Sequence, residues 1–200
     1  MNLLSAIFVA IIVPAVVPSL AEAHLVTTGL GPFYDGAMHL LLSPGDLLGL
    51  LAAALLAGLR GTRAGRLTIL VLPSVWYLSG LIGLNLPFAL DLPWLSVLSF
   101  VILGAMVALD PKLPEIVVAL LAGVYGTLHG LLNGSALGVI GAGPLSLLGI
   151  VATVLVIALL VSAAVVSLRA AWTRIAVRVV GSWVAAIGML MFGWLARGTG

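Results

Sequence analysis

Long apolar stretches separated by short polar turns dominate the pattern of this chain. The first runs from Leu3 to Leu20. Six more lie near residues 44–59, 67–86, 93–109, 114–133, 144–167 and 177–196. A helix needs roughly 20 apolar residues to cross a bilayer, and most of these stretches approach or meet that length. The pattern predicts an all-α fold, a polytopic transmembrane bundle of six helices that follows an N-terminal segment.

The N-terminal segment allows two interpretations. Its apolar run is broken by Pro14 and Pro18 and ends with Ala21 and Ala23 around a glutamate, which is typical of a signal-peptidase site. The absence of Lys and Arg before the run argues instead for a permanent anchor. We therefore divide the chain into a signal peptide or signal anchor over 1–23, an external linker over 24–43 and a six-helix transmembrane domain over 44–200.

Composition supports a membrane protein and excludes several functions. Hydrophobic residues make up 63% of the chain, charged residues 7%, and the mean hydropathy is +1.35, whereas soluble domains carry about a quarter charged residues. Eight scattered basic residues do not form a nucleic-acid surface. Without cysteine there is no thiolate metal site or cysteine nucleophile. No catalytic motif is present either, and we do not expect an enzyme.

The basic residues predict the orientation of the bundle. Seven of the eight fall in loops that share one side, and only Arg197 lies opposite. The positive-inside rule makes that side cytoplasmic, which predicts a multi-pass protein of a bacterial-type inner membrane with its mature N-terminus external. His39, Asp46 and His129 then lie at similar depth in the external half. Such groups are costly beside hydrocarbon, so they need partners or a purpose.

The predicted fourth helix carries a stripe of small residues at four-residue spacing. Close backbone contact is a main source of attraction between helices in lipid, so this stripe predicts helix packing. It consists of Ala122, Gly126, Gly130 and Gly134. His129 lies one position off the stripe and should border a helix contact rather than face lipid.

An ordered set of short motifs resembles the HupE/UreJ family of small membrane proteins. The matches begin with His24, continue with Gly36 and His39 before Gly45 and Asp46, and end with His129 and Gly130. Between them lie two Leu-Pro pairs, at 72–73 and 92–93. The resemblance implies a role in nickel uptake or in the maturation of nickel enzymes.

The chain departs from the family pattern at several ligand positions. Leu47 stands where a second histidine follows the aspartate, Asn133 where another histidine is expected, and Ser96 where a glutamate is frequent. The resemblance implies a metal site of His39, Asp46 and His129, with His24 and Asn133 as additional ligands. No permanently bound cofactor is expected. The expected cargo is a transient divalent ion such as nickel, cobalt or copper, because such ions accept imidazole and carboxylate ligands.

Two function classes remain open beside a distant third, an intramembrane enzyme. The first is a permease that passes a nickel-like divalent ion from the external face. The alternative is a non-transporting membrane subunit or assembly factor of an enzyme complex. The expected partners are the lipid bilayer, a metal ion, and either subunits of a membrane complex or further copies of the chain; no nucleic-acid partner is expected.

Overall fold

The computed structural model describes residues 27–198, and this part of the chain is all-helical, as predicted, with no strand. It contains seven helices. They are α1 (Pro32–Leu42), α2 (Pro44–Arg60), α3 (Thr62–Leu84), α4 (Pro93–Leu109), α5 (Glu115–Val139), α6 (Pro144–Ser167) and α7 (Ala171–Gly198). The predicted signal segment 1–23 lies outside the described residues.

A helix occupies each of the six positions predicted from the apolar runs, but several helices are longer than the runs. The third begins at Thr62 rather than at residue 67, and the seventh at Ala171 rather than at 177. These extra turns contain Arg63, Arg66 and Arg174. Arginine is a good helix former, so the backbone hydrogen bonds continue where the apolar run stops.

Helix α1 occupies residues that the sequence analysis assigned to the external linker. It packs closely on α6 at two glycines. A side chain at Gly36 would collide with the backbone of Ser146, and one at Gly149 would collide with the backbone of Phe33. Helices α1 and α2 meet at an angle of 78° around Ser43, whose backbone is extended (φ −95°, ψ 94°). Pro44 takes the first position of α2, where its missing N–H is not needed.

Four helices of the described part are long and apolar enough to cross a membrane, namely α3, α5, α6 and α7. The bent pair α1–α2 passes the same test as a fifth span. Helix α4 has 17 residues and is strongly apolar, but it reaches only about 26 Å at 1.5 Å per residue. The structure thus supports a multi-pass membrane protein with four to five spans by length.

Helices α3 and α5 form the largest helix pair of the bundle. Gly126, Gly130 and Gly134 all face α3, where added side chains would collide with the backbone around Leu72, Trp76 and Gly80. The three glycines of the stripe therefore pack closely against α3. Helix α5 also contacts α2.

Seven basic residues gather at one end of the bundle. Asp110, which ends α4 in the left-handed conformation (φ 52°), forms ion pairs with Arg60 of α2 and Arg174 of α7. The side chains of Arg60 and Asp110 are 7% and 8% exposed. Arg178 donates to the carbonyl of Ala108, and Arg63 pairs with Glu115. These contacts join the ends of α2, α4 and α7, and the Arg63–Glu115 pair joins α3 to α5.

Candidate polar centre of the bundle

The polar centre begins with Asp46, in the first turn of α2. Its carboxylate does not cap its own helix but reaches across to α5. Asp46 Oδ1 lies 2.5 Å from His129 Nδ1, and Oδ2 accepts a hydrogen bond of 3.0 Å from Asn133 Nδ2. The structure therefore brings together two of the predicted ligands, Asp46 and His129, and adds the residue predicted as an extra ligand.

His129 is the most enclosed member of the cluster. Its side chain is 0% exposed, whereas that of Asp46 is 13% exposed. The second ring nitrogen, Nε2, lies 2.9 Å from Ser99 Oγ on α4. The Ser99 hydroxyl also donates to the carbonyl of Ser96 at 2.6 Å. Both imidazole nitrogens thus have partners, and the predicted placement of His129 at a helix contact is confirmed by its burial.

Aromatic rings complete the walls of the site. The Tyr125 ring lies 4.2 Å from the His129 ring between centroids, and its hydroxyl donates to the carbonyl of Asp46 at 2.5 Å. Gly49 makes room for it, because a side chain there would collide with the tyrosine ring. Trp76 of α3 packs 5.8 Å from the imidazole. Trp76 and Tyr125 also contact each other, with ring centroids 5.7 Å apart, so the three rings pack as a mutual cluster. The Tyr125 hydroxyl fixes the backbone of Asp46.

Asn133 leaves an unused acceptor in this centre. Its Nδ2 donates to Asp46 Oδ2 and to the carbonyl of His129, at 3.0 and 2.9 Å. Its Oδ1 is buried and has no hydrogen-bond partner. Turning the amide over would place Oδ1 against the carboxylate, so the orientation follows from the charge of Asp46. A buried polar atom without a partner is uncommon in proteins and is a place where a water molecule or an ion fits.

Of the other predicted ligands, His39 does not join this cluster. His39 is half-buried in α1, and within residues 27–198 its ring has no hydrogen-bond or ion-pair partner. Among the described residues, no three His, Cys, Asp or Glu side chains form a group that could hold a metal. Ser43 donates to the carbonyl of His39. His24 lies outside the described residues.

Sequence reasoning missed Tyr125 and Ser99 as members of the centre. Tyr125, His129 and Asn133 are spaced by four, so they form a polar stripe beside the glycine stripe on α5. That spacing could have identified Tyr125 from the sequence as a neighbour of His129 on the same helix face. Ser99 carries no comparable signal, because a lone serine in an apolar helix is commonly bonded to its own backbone.

The position of Ser96 bears on the family pattern. A side chain at Gly45, the residue before Asp46, would come within 3.9 Å of Ser96 Oγ. The position where the family frequently has a glutamate therefore lies close to the polar centre. Serine there replaces a charge with a neutral hydroxyl.

Comparison with known proteins agrees with the motifs. Residues 11–191 match the family described as HupE / UreJ protein. Neither the curated proteins nor the solved structures gave a match. Because the matched range covers most of the chain and includes every member of the polar centre, the protein belongs to the HupE/UreJ family.

Proposed function

We propose that this protein is a permease for a nickel-like divalent ion, which enters from the external face and binds transiently at Asp46, His129 and Asn133. The observation that carries the proposal is the buried acid–imidazole pair with an unused amide oxygen beside it. Ionisable groups inside a membrane bundle typically mark the path of an ion or a proton. The proposal includes six crossings, with α4 as the shortest.

The chemistry of the three side chains suits such an ion. An imidazole nitrogen, a carboxylate oxygen and an amide oxygen are donors that borderline divalent metals accept. Asp46 is the most exposed of the three, so we expect an entering ion to contact it first. His129 lies 14 residues beyond Glu115 along α5, or about 21 Å from the basic end. The site therefore belongs to the half of the bundle away from that end.

The same geometry favours weak binding. A cation at Asp46 competes with the contact between Oδ1 and His129 Nδ1, so part of the binding free energy is spent on separating that pair. Weak binding suits a permease, because an ion that enters must also leave. We place His39, which precedes the bend at Ser43, ahead of the buried centre on the path of the ion and not as a third ligand of the same ion.

Uptake of radioactive nickel by cells expressing the protein tests this proposal. We expect Asp46→Asn and His129→Gln to lower the initial rate by about tenfold or more, as loss of a metal-site contact commonly does. His39→Gln should lower it less. The matched control is Asp91→Asn, which makes the same change at an exposed position between α3 and α4 and should leave uptake unchanged.

The alternative, a non-transporting membrane subunit, is favoured by one observation. Asp46 and His129 satisfy each other, which a purely structural pair would also do. Uptake no higher than in cells lacking the protein, together with stable co-purification of other membrane subunits, would support this alternative and contradict the permease.

A further inference from the structure

An apolar groove runs between the first half of α3 and the second half of α6, near the basic end. It encloses about 390 Å³, and Ile69, Leu159 and Val166 lie along it. Leu159 is 47% exposed, so this groove opens towards the surface that faces lipid. Arg66 and Arg169 also line it.

These two arginines differ from the other arginines of this end. Arg60 and Arg174 pair with Asp110, Arg63 pairs with Glu115, and Arg178 donates to a backbone carbonyl. Arg66 and Arg169, by contrast, have no hydrogen-bond or ion-pair partner among residues 27–198. Two unpaired guanidinium groups beside one groove create a site for an anion.

A second cavity continues the groove towards the helix ends. It encloses about 320 Å³ and shares Val166 and Arg169 with the groove. Thr173 and Arg174 add polar and charged groups to its lining. The combined space therefore has a polar, positively charged end and an apolar end that runs along the membrane-facing side of two helices.

We propose that the groove and the cavity beside it bind one anionic phospholipid, with its phosphate between Arg66 and Arg169 and an acyl chain in the α3–α6 groove. Free phosphate would bind to the arginines but would leave the apolar groove unoccupied. Basic sites between transmembrane helices on the cytoplasmic side recognise anionic headgroups in this way. The orientation comes from the positive-inside rule, and the proposal does not depend on metal transport.

Native mass spectrometry of the full chain in mild detergent tests the headgroup. The probes are phosphatidylglycerol and phosphatidylcholine with identical acyl chains. We expect the protein to retain phosphatidylglycerol preferentially, and Arg66→Gln with Arg169→Gln to reduce that preference about twenty-fivefold, since each basic residue near the surface contributes about a factor of five. The control, Lys112→Gln with Arg197→Gln, removes the same charge outside the groove and should retain the preference.

A second pair of variants tests the acyl chain. Ala163 lines the groove, and its exposed neighbour Ala164 does not. We expect Ala163→Phe to fill the groove and lower phosphatidylglycerol retention, and Ala164→Phe to leave that retention unchanged. Both changes add an apolar ring at the lipid-facing surface, so folding should be affected equally.

Four outcomes would overturn the proposal. The first three are equal retention of the two lipids by the wild type, an unchanged preference in the double arginine variant, and equal effects of the two phenylalanine variants. Displacement of phosphatidylglycerol by inorganic phosphate alone, with Ala163→Phe still binding normally, would assign the arginines to a free anion and would also overturn it.

Discussion

At the scale of single residues, Asp46 holds the polar centre together, and it is also the residue at which we propose that the ion binds. Its two oxygens contact His129 and Asn133, and its backbone carbonyl accepts from Tyr125. Removing one of these buried partners leaves the other unsatisfied, which costs about 1–3 kcal/mol and more where the remaining group is charged. Loss of transport in one variant would therefore not separate binding from folding, and a stability measurement is needed beside it.

A double-mutant cycle makes that separation. We expect Asp46→Leu and His129→Leu each to lower the thermal unfolding temperature in detergent, and the double variant to lose less than the sum of the two. The reason is that the double variant leaves neither a carboxylate nor an imidazole unpaired. Losses that simply add would show that the two side chains do not stabilise each other. A double variant that folds stably but transports no nickel would assign the pair to binding.

The sequence predicted this pair better than it predicted the surroundings. Helix count and charge placed Asp46 and His129 at similar depth, and the structure confirms that they meet. The same topology and the family resemblance also grouped His39 with them. The 78° bend at Ser43 turns α1 away from α2, and no apolar pattern reports the angle between two short helices.

At the scale of elements, α5 organises the bundle through two adjacent stripes. The glycine stripe approaches α3, and the polar stripe of Tyr125, His129 and Asn133 faces Asp46 on α2. In lipid, close packing of small residues replaces much of the hydrophobic effect that joins helices in water. Any change in the distance between α3 and α5 therefore also moves the polar centre.

Two alanine substitutions test the glycine stripe. In Gly134→Ala the new Cβ would collide with the backbone of Gly80, whereas in Gly123→Ala it would meet only the Val71 side chain, at 3.2 Å. Both gain up to about 1 kcal/mol of helix propensity. We expect Gly134→Ala nevertheless to destabilise the protein, because overpacking costs about 1–3 kcal/mol, and Gly123→Ala to be neutral or stabilising in thermal unfolding. The same stability in both variants would show that α3 and α5 are free to move apart.

The sequence predicted the helices themselves with few exceptions. Apolar runs mark where a helix crosses hydrocarbon, whereas the limits of a helix are set by its backbone hydrogen bonds. Helices α3 and α7 therefore begin at Thr62 and Ala171, before their apolar runs begin. Helix α1 was missed because Gly36, Asp35 and His39 interrupt its apolar residues. It is stabilised by packing on α6, which local sequence does not report.

At the scale of the whole molecule, charge and topology agree. The seven basic residues predicted to share one side do gather at one end, where Asp110 joins α4 to Arg60 and Arg174. The polar centre lies in the half away from that end. The two ends of the bundle therefore differ, and the orientation of the bundle in the membrane decides which side of the membrane Asp46 is nearer to.

Single cysteines determine that direction, and the chain has no cysteine of its own to interfere. Thr62 is exposed at the basic end, and Ile140, 49% exposed, follows the far end of α5. In intact spheroplasts, a membrane-impermeant maleimide should label Ile140→Cys and leave Thr62→Cys unlabelled until the membrane is opened. The reverse order would place seven basic residues outside, against the positive-inside rule, and would turn Asp46 towards the cytoplasm. Uptake through Asp46 from the external face would then be excluded, whereas the mutual stabilisation of Asp46 and His129 would remain as the structure describes it.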